Sequence, residues 1–302
     1  MTQRLLIIVN PVSHNLPSRH SLDEADLWLR EQGWQVRWEQ TERPGHATGL
    51  ARQAADEQLP LVITCGGDGT LREAACGLVG SETALAPLPA GTVNIWAREV
   101  RIPRKPSLAV RAIINGERRR VDLGRAGQEH FLLMAGIGLD AVIASKVSLR
   151  FKRRAGALAY AVTAARETSF YRGKPVTLDI DGERLKTRSL MMVIGNTRNY
   201  AGLTSITRHA FVDDGLLDVC VFPGAWLADV LPHVARVIFH RHLASSRVIY
   251  RKARRIVIES GQPLPMQLDG DPAPEDASTI EVVPRALVVQ VPRDVKSPIF
   301  LP

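Results

Sequence analysis

Residues 61–78 constrain the fold more tightly than any other stretch of this chain. The apolar run 61–64 has the length of a buried strand, and a helical pattern runs from about residue 70 to 78. Between them stands Cys65-Gly66-Gly67-Asp68-Gly69-Thr70. Glycines at such a turn permit positive φ and close backbone approach. The N–H groups of the loop and of the helix start are suited to hold phosphate oxygens, and Asp68 adds an acceptor able to orient a phosphate-bound Mg²⁺ through water. The same residues would also make a plain tight turn, but the flanking strand and helix favour the phosphate reading. No G-x-x-x-x-G-K-[ST] loop, no G-x-G-x-x-G after the first strand and no protein-kinase signature set is present, so the phosphate site is of another type.

Strand and helix alternate through the first third of the chain. Residues 5–9 form a short apolar run. Ser21 and Glu24 make an S-x-x-E capping box for a helix that Gly33 stops. Residues 34–39 alternate like a strand, 46–58 are Ala-rich and helical, and 84–88 read as a fourth strand. This order implies an open α/β sheet with helices on both faces. After about residue 122 the strand-like runs crowd together, at 131–135, 176–181, 190–194, 217–222, 256–259, 266–268, 280–283 and 287–291. Asp181-Gly182 is a hairpin signal. The second half reads as an antiparallel β-sandwich with helical insertions at 140–170 and 226–240. The expected division is an α/β domain over 1–122 and a β-rich domain over 123–291, with a tail, 292–302, packing back on the first.

Hydrophobic residues make up 45% of the chain and charged residues 23%, which excludes a disordered class. Cys65, Cys76 and Cys220 are widely spaced and form no CxxC pair, which argues for a reducing cytosol and against a disulfide scaffold or a zinc site. The run 5–9 is too short for a secretory signal, and the Ala-rich stretch 155–165 is too short for a bilayer span. The expectation is a protein that visits a membrane surface without crossing it. A net charge of +8 favours acidic partners. Basic residues cluster at Lys146, Arg150, Lys152, Arg153, Arg154, Arg166, Arg172 and Lys174, and again at Arg236, Arg241, Arg247, Arg251, Lys252, Arg254 and Arg255. No helix-turn-helix, RRM or KH signature accompanies that charge, so nucleic acid is not the expected partner. The oligomeric state, a homo-oligomer included, stays open.

Several motifs, in order, resemble the diacylglycerol kinase catalytic family, which includes sphingosine, ceramide and bacterial lipid kinases. They are Asn10-Pro11, Thr41 with His46-Ala47, Gly66-Gly67-Asp68-Gly69-Thr70, and Pro89-Ala90-Gly91-Thr92-Val93-Asn94-Ile95-Trp96-Ala97-Arg98. Later come Gly136-Ile137-Gly138-Leu139-Asp140-Ala141, Asp213-Asp214-Gly215-Leu216-Leu217-Asp218 and Leu268-Asp269-Gly270-Asp271-Pro272. The resemblance implies an NAD kinase-like first domain. It also implies ATP and Mg²⁺ as cofactors and a cytoplasmic, peripherally membrane-associated enzyme that phosphorylates a hydroxyl of a membrane lipid. A kinase for a soluble acceptor such as NAD or a sugar, and a lipid-binding regulator without activity, are the competing readings.

By that resemblance Asn10, Thr41, Gly66, Gly67, Asp68, Gly69, Thr70, Leu71 and Thr92 line the ATP site, with Asn94 a lesser candidate. From spacing alone Thr92 reads as a turn residue after Gly91. Asp271 matches the family's catalytic carboxylate and is assigned the general base. Asp269, two residues earlier, would share its strand face and its cleft, and two close acids push one pKa upward. Asp-Gly-Asp-Pro is also strong turn chemistry. A structural Mg²⁺ is implied on the Asp214 side chain and the backbone carbonyls of Phe211 and Leu216. The basic stretch 151–160 resembles a segment leading into a helix at a lipid headgroup layer. Two positions depart from the pattern. Ile95 stands where the family has Asp, which removes a carboxylate from the metal-water network. Asp271 stands where it has Glu, which withdraws the charge by one methylene.

Overall fold

A computed structural model describes residues 3–146, 171–202, 204–226, 229, 232, 233, 237, 242–245, 247–273, 277–293 and 297–301. The basic stretch 151–160 and most of the two expected helical insertions lie outside these residues. The chain divides into two compact units, residues 1–122 with 284–302, and residues 123–283.

The first unit begins with β1 (Gln3–Val9), whose last five residues are buried. Then come α1 (Arg19–Glu31), β2 (Trp34–Gln40), α2 (His46–Asp56), β3 (Leu61–Gly66), α3 (Asp68–Leu78), β4 (Ala84–Pro89), α4 (Ile95–Glu99) and α5 (Pro106–Ile114). Both β3 and β4 are buried along their whole length, as expected of parallel strands covered on both faces. The strands pair in parallel in the order β4-β3-β1-β2. From β1 the chain moves outward to β2, and from β3 it moves outward in the opposite direction to β4. The gap between β1 and β3 is therefore the point where strand order reverses. The helix α2 packs with α3 and α1 packs with α5, the pairing that right-handed crossovers would produce on the two faces of the sheet. The α1 cap differs from the expected one. Ser18 is the N-cap and its hydroxyl accepts from the Ser21 N–H, so the helix starts a turn before the Ser21–Glu24 pair.

Two strands carry the chain between the units, β5 (Glu117–Ala126) and the 13-residue strand β17 (Thr279–Val291). Runs 280–283 and 287–291, read separately in the sequence, are thus one strand. In the first unit its later part pairs in parallel with β4, Val289 opposite Leu85.

The second unit contains β6 (Glu129–Phe131), β7 (Met134–Gly138), α6 (Leu139–Lys146), β8 (Lys174–Ile180), β9 (Glu183–Gly195) and the small hairpin β10 (Asn199–Tyr200) with β11 (Thr204–Ser205). It continues with β12 (Leu217–Pro223), β13 (Ile249–Ala253), β14 (Arg255–Ser260), β15 (Met266–Leu268) and β16 (Asp271–Pro272). The long strand β9 pairs antiparallel with β8 along its first half and with both β7 and β12 along its second. It is therefore where the sheet branches. Val176, Leu178 and Ile180 of β8 alternate inward to meet Ile256, Ile258 and Ile280. Ile137, Met192, Ile194, Val219 and Leu268 come from the other side, and all of them are buried in one core. Truncating such a side chain to Ala would cost about 2–5 kcal/mol. The turn between β8 and β9 is Asp181-Gly182, with φ of 49° and 92°, as the sequence implied.

Candidate functional site

The nucleotide-site candidates of the first unit sit at one end of its sheet. Asn10 follows β1, Thr41 follows β2, the glycine loop follows β3, and residues 90–94 follow β4. In an open parallel sheet the carboxyl ends of the strands, at the reversal point, are where ligands bind. A hydrogen bond spans that reversal point, from Asn10 Nδ2 to Thr70 Oγ1 at 3.0 Å. Asn10 Oδ1 in turn accepts from the Val12 N–H at 3.1 Å, which fixes the amide's orientation.

Gly67 is the N-cap of α3 and offers no side chain to the helix start, so the first N–H groups of that helix are left for another acceptor. The loop is narrow. A Cβ on Gly91 would lie 2.5 Å from the Gly67 Cα, and a Cβ on Gly66 would lie 2.6 Å from the Thr70 side chain. Only glycines let these two loops touch. A donor-rich helix start inside a cradle without side chains fits a polyphosphate. Thr92 is exposed beside it, while Leu71 is buried and belongs to the core beneath the loop.

Two expected ligands have internal tasks. Asn94, at a positive φ of 54°, accepts from the Gly91 N–H at 2.9 Å and donates to the Gly91 carbonyl at 2.8 Å. It closes the loop that carries Thr92. Asn15, which the sequence reading did not single out, also donates to the Gly91 carbonyl at 2.8 Å. Asp68 accepts from the backbone N–H groups of Ile95 at 3.0 Å and Trp96 at 3.3 Å. Asn94, the N-cap of α4, makes no side-chain cap, and Asp68 supplies the missing acceptor from another loop. Burial raises the Asp68 carboxyl above its ordinary range, opposed by these N–H groups and by the charge of Arg98. Asp68 thus clamps the second motif to the first, through the backbone of the residue where the family carries its additional Asp.

In the second unit the Asp269-Gly270-Asp271 motif is a turn. Asp269 and Gly270 have φ of 52° and 97°, and they join β15 to β16 with Leu268 opposite Asp271. The expectation of two acids on one strand face is corrected. Positive φ at two successive residues breaks the alternation that would align them. The Asp269 carboxylate accepts from the N–H groups of Leu132 at 2.8 Å, Leu133 at 2.9 Å and Met134 at 2.8 Å. This is also where the expected strand 131–135 splits into β6 and β7, because these N–H groups serve the acid instead of a ladder. Asp271 is exposed at the end of the turn.

The Asp214 loop carries its own cation. Asp214 Oδ1 accepts from the Leu216 N–H at 3.0 Å, and Oδ2 is paired with Lys252 Nζ at 2.6 Å. The same ammonium lies 3.6 Å from Oδ2 of the fully buried Asp218 and 5.1 Å from the Phe211 ring centroid. The Tyr250 hydroxyl donates to the other Asp218 oxygen. Burial pushes the Asp218 carboxyl up to about 6. With an ammonium already between the two acids, the residues present do not fit the implied structural Mg²⁺. Among the described residues no group of three or more His, Cys, Asp and Glu side chains is arranged to hold a metal.

Residues 4–126 match the family model of the diacylglycerol kinase catalytic domain, and residues 134–291 match that of the YegS C-terminal NAD kinase beta sandwich-like domain. A diacylglycerol kinase of Staphylococcus carnosus is 27% identical over 300 residues, covering 98% of each chain. One from Bacillus subtilis is 27% identical over 272 residues, 89% of this chain and 90% of its own. A crystal structure of a diacylglycerol kinase from Bacillus anthracis superposes with a TM-score of 0.79 at 24% identity, over 96% of this chain and 97% of that one. That likeness establishes the fold, an α/β unit with a β-sandwich unit. From the two matched domains, which together run through nearly the whole sequence, it follows that this chain belongs to the diacylglycerol kinase family and is an ATP-using kinase.

Proposed function

We propose that this kinase transfers the γ-phosphoryl group of ATP to a hydroxyl of a membrane lipid such as diacylglycerol. The reading is carried by the glycine cradle, where Gly67 and Gly91 meet at the carboxyl ends of β3 and β4 beside bare N–H groups of α3. Those N–H groups bind the phosphate chain, and the Asn10–Thr70 bond keeps the first loop against it. Mg²⁺ bound with the nucleotide would neutralise charge on the transferring group. Asp271 takes the proton of the acceptor hydroxyl as that oxygen attacks phosphorus.

Two features support a lipid acceptor over NAD. The relatives that match along nearly all of this chain are named diacylglycerol kinases. A cavity of about 280 Å³ in the second unit has an apolar side of Ile137, Ile258, Leu264, Met266 and Ala277, which could take part of an acyl chain, and a polar rim that includes Ser260, Gln262 and Ser278. Peripheral attachment to anionic membrane follows from the net charge of +8 and is part of the proposal. No helix among the described residues is long and apolar enough to cross a membrane.

The deciding experiment is transfer of labelled phosphate to diacylglycerol, phosphatidylglycerol, sphingosine and NAD, with Asp271→Asn alongside the wild type. Transfer to a lipid and none to NAD is expected. Asp271→Asn should abolish it while ATP binding persists. Wild-type turnover in that variant removes Asp271 from the base role, and transfer to NAD alone removes the lipid.

A further inference from the structure

We propose that Asp140 is a positioning residue for Asp271, acting through the amide of Gln267. The proposal deepens the reading of Asp271 as general base and rests on it. Asp140 lies in the Gly136-Ile137-Gly138-Leu139-Asp140-Ala141 motif, for which neither the phosphate cradle nor the base supplies a purpose.

The geometry explains both glycines of that motif. Gly138 ends β7 at a φ of 85°, a left-handed turn that sends the chain directly into α6. Asp140, the second residue of α6, then folds its carboxylate back over Gly136. A Cβ at residue 136 would lie 1.6 Å from Asp140 Oδ2 and 2.5 Å from Gln267 Nε2, so no side chain is admitted there. Gln267 lies directly opposite Gly136 in the β7–β15 ladder.

Asp140 is 2% exposed and Gln267 5%. Gln267 Nε2 donates to Asp140 Oδ2 at 2.9 Å, and the Tyr200 hydroxyl donates to Oδ1. Gln267 Oε1 accepts from the Gly270 N–H at 2.5 Å. A carboxylate accepts and does not donate, so it can face only the NH₂ end of the amide. Reversing the amide would set oxygen against carboxylate and NH₂ against the Gly270 N–H, two repulsive contacts in a buried place. The buried acid therefore dictates which end of Gln267 meets the turn. Gln267 holds Gly270, the residue immediately before Asp271. The Asp269 carboxylate anchors the other side of the turn to residues 132–134. Asp271 itself is exposed at the end of that turn, so a shift of the turn shifts its backbone.

The test uses the full chain with diacylglycerol in mixed micelles and compares Asp140→Asn, Gln267→Met, the double variant and Asp271→Asn. An Asn at 140 turns an NH₂ toward Gln267 and invites the amide to reverse. A Met at 267 keeps the bulk and removes the link. Each single variant should lower kcat about 10- to 100-fold, the range expected for a misplaced catalytic group. The KM for ATP should stay within about twofold, and the acid limb of the pH–rate profile should move. Because the residues act in series, the double variant should be no slower than Gln267→Met alone. Wild-type kcat in both single variants while Asp271→Asn is inactive overturns the proposal and leaves the base in place. An active Asp271→Asn overturns the underlying reading instead. Multiplying losses in the double variant, or equal losses in kcat and ATP affinity, indicate general destabilisation and also overturn it. Hydrogen exchange of the wild type gives a check that needs no variant. The Gly270 amide should be protected and lose protection in Gln267→Met, whereas rapid exchange in the wild type removes the link.

Discussion

Gly91 needs no positive φ. What it needs is the absence of a side chain, because its nearest neighbour is the backbone of Gly67. Gly91→Ala should therefore push the two loops apart and weaken ATP binding by about 10-fold or more, equivalent to losing one hydrogen bond to a charged group. Calorimetric titration with a non-hydrolysable ATP analogue measures this, and unchanged affinity would show that the loops can separate freely. Asp269 invites the opposite expectation. Its carboxylate satisfies three backbone N–H groups, so Asp269→Ala should cost on the order of 2–3 kcal/mol in urea unfolding. The sequence singled out both motifs, and the structure adds which backbone groups their members hold. Asp68 and Asp269 each spend their polar atoms on backbone belonging to a different segment, a partnership invisible to spacing within one motif, while Asn94 closes its own loop on Gly91. Asp140 and Gln267 were missed as a pair for the same reason, with the glycine at 136 as the surviving clue.

Among the elements, β12 and β13 carry a charge arrangement with two measurable consequences. Lys252 on β13 pairs with Asp214 and lies beside Asp218. The melting temperature of the nucleotide-free wild type should therefore be indifferent to EDTA. Lys252→Met should lose about 2–3 kcal/mol, less than a wholly buried pair because Lys252 keeps 30% of its exposure. Millimolar Mg²⁺ should restore part of that loss. A wild-type Tm that collapses in EDTA would mean that a metal sits there after all. Asp218 adds a pH dependence. Its folded value, about 6, stands above the ordinary carboxylate range, so the folded state binds the proton more tightly than the unfolded state. Its stabilising contribution is complete below about pH 4 and is lost as pH rises through about 6. Compared with Asp218→Asn in urea unfolding, the wild type should lose stability between about pH 4.5 and about pH 7, and parallel curves would refute it. Alternating apolar residues made β8 and its Asp181-Gly182 turn legible in advance. The lysine was not, because a run of basic residues at 251–255 looks the same whether a member points to water or between two acids.

For the molecule as a whole, strand-helix alternation announced the parallel sheet, and the crowding of short apolar runs announced the sandwich. The single strand across 279–291 escaped notice because Pro284-Arg285-Ala286 interrupts its apolar pattern. That strand makes the first unit discontinuous in sequence, its last contributions coming from 284–302. A fragment ending at residue 122 should accordingly expose β4 along the flank that Val289 covers. We expect that fragment to aggregate, and to be rescued by co-expression with a peptide spanning 279–302. A monomeric, ATP-binding fragment would refute this. On the ribosome the same arrangement imposes an order of events. The nucleotide-handling unit emerges before the sandwich yet lacks a flanking strand until residues 284–291 are made, so the intervening sandwich can fold before the segment that preceded it is complete. A nascent chain cut by a premature stop just before residue 284 would thus lose the nucleotide-handling unit, although most of it was already made, and keep the sandwich.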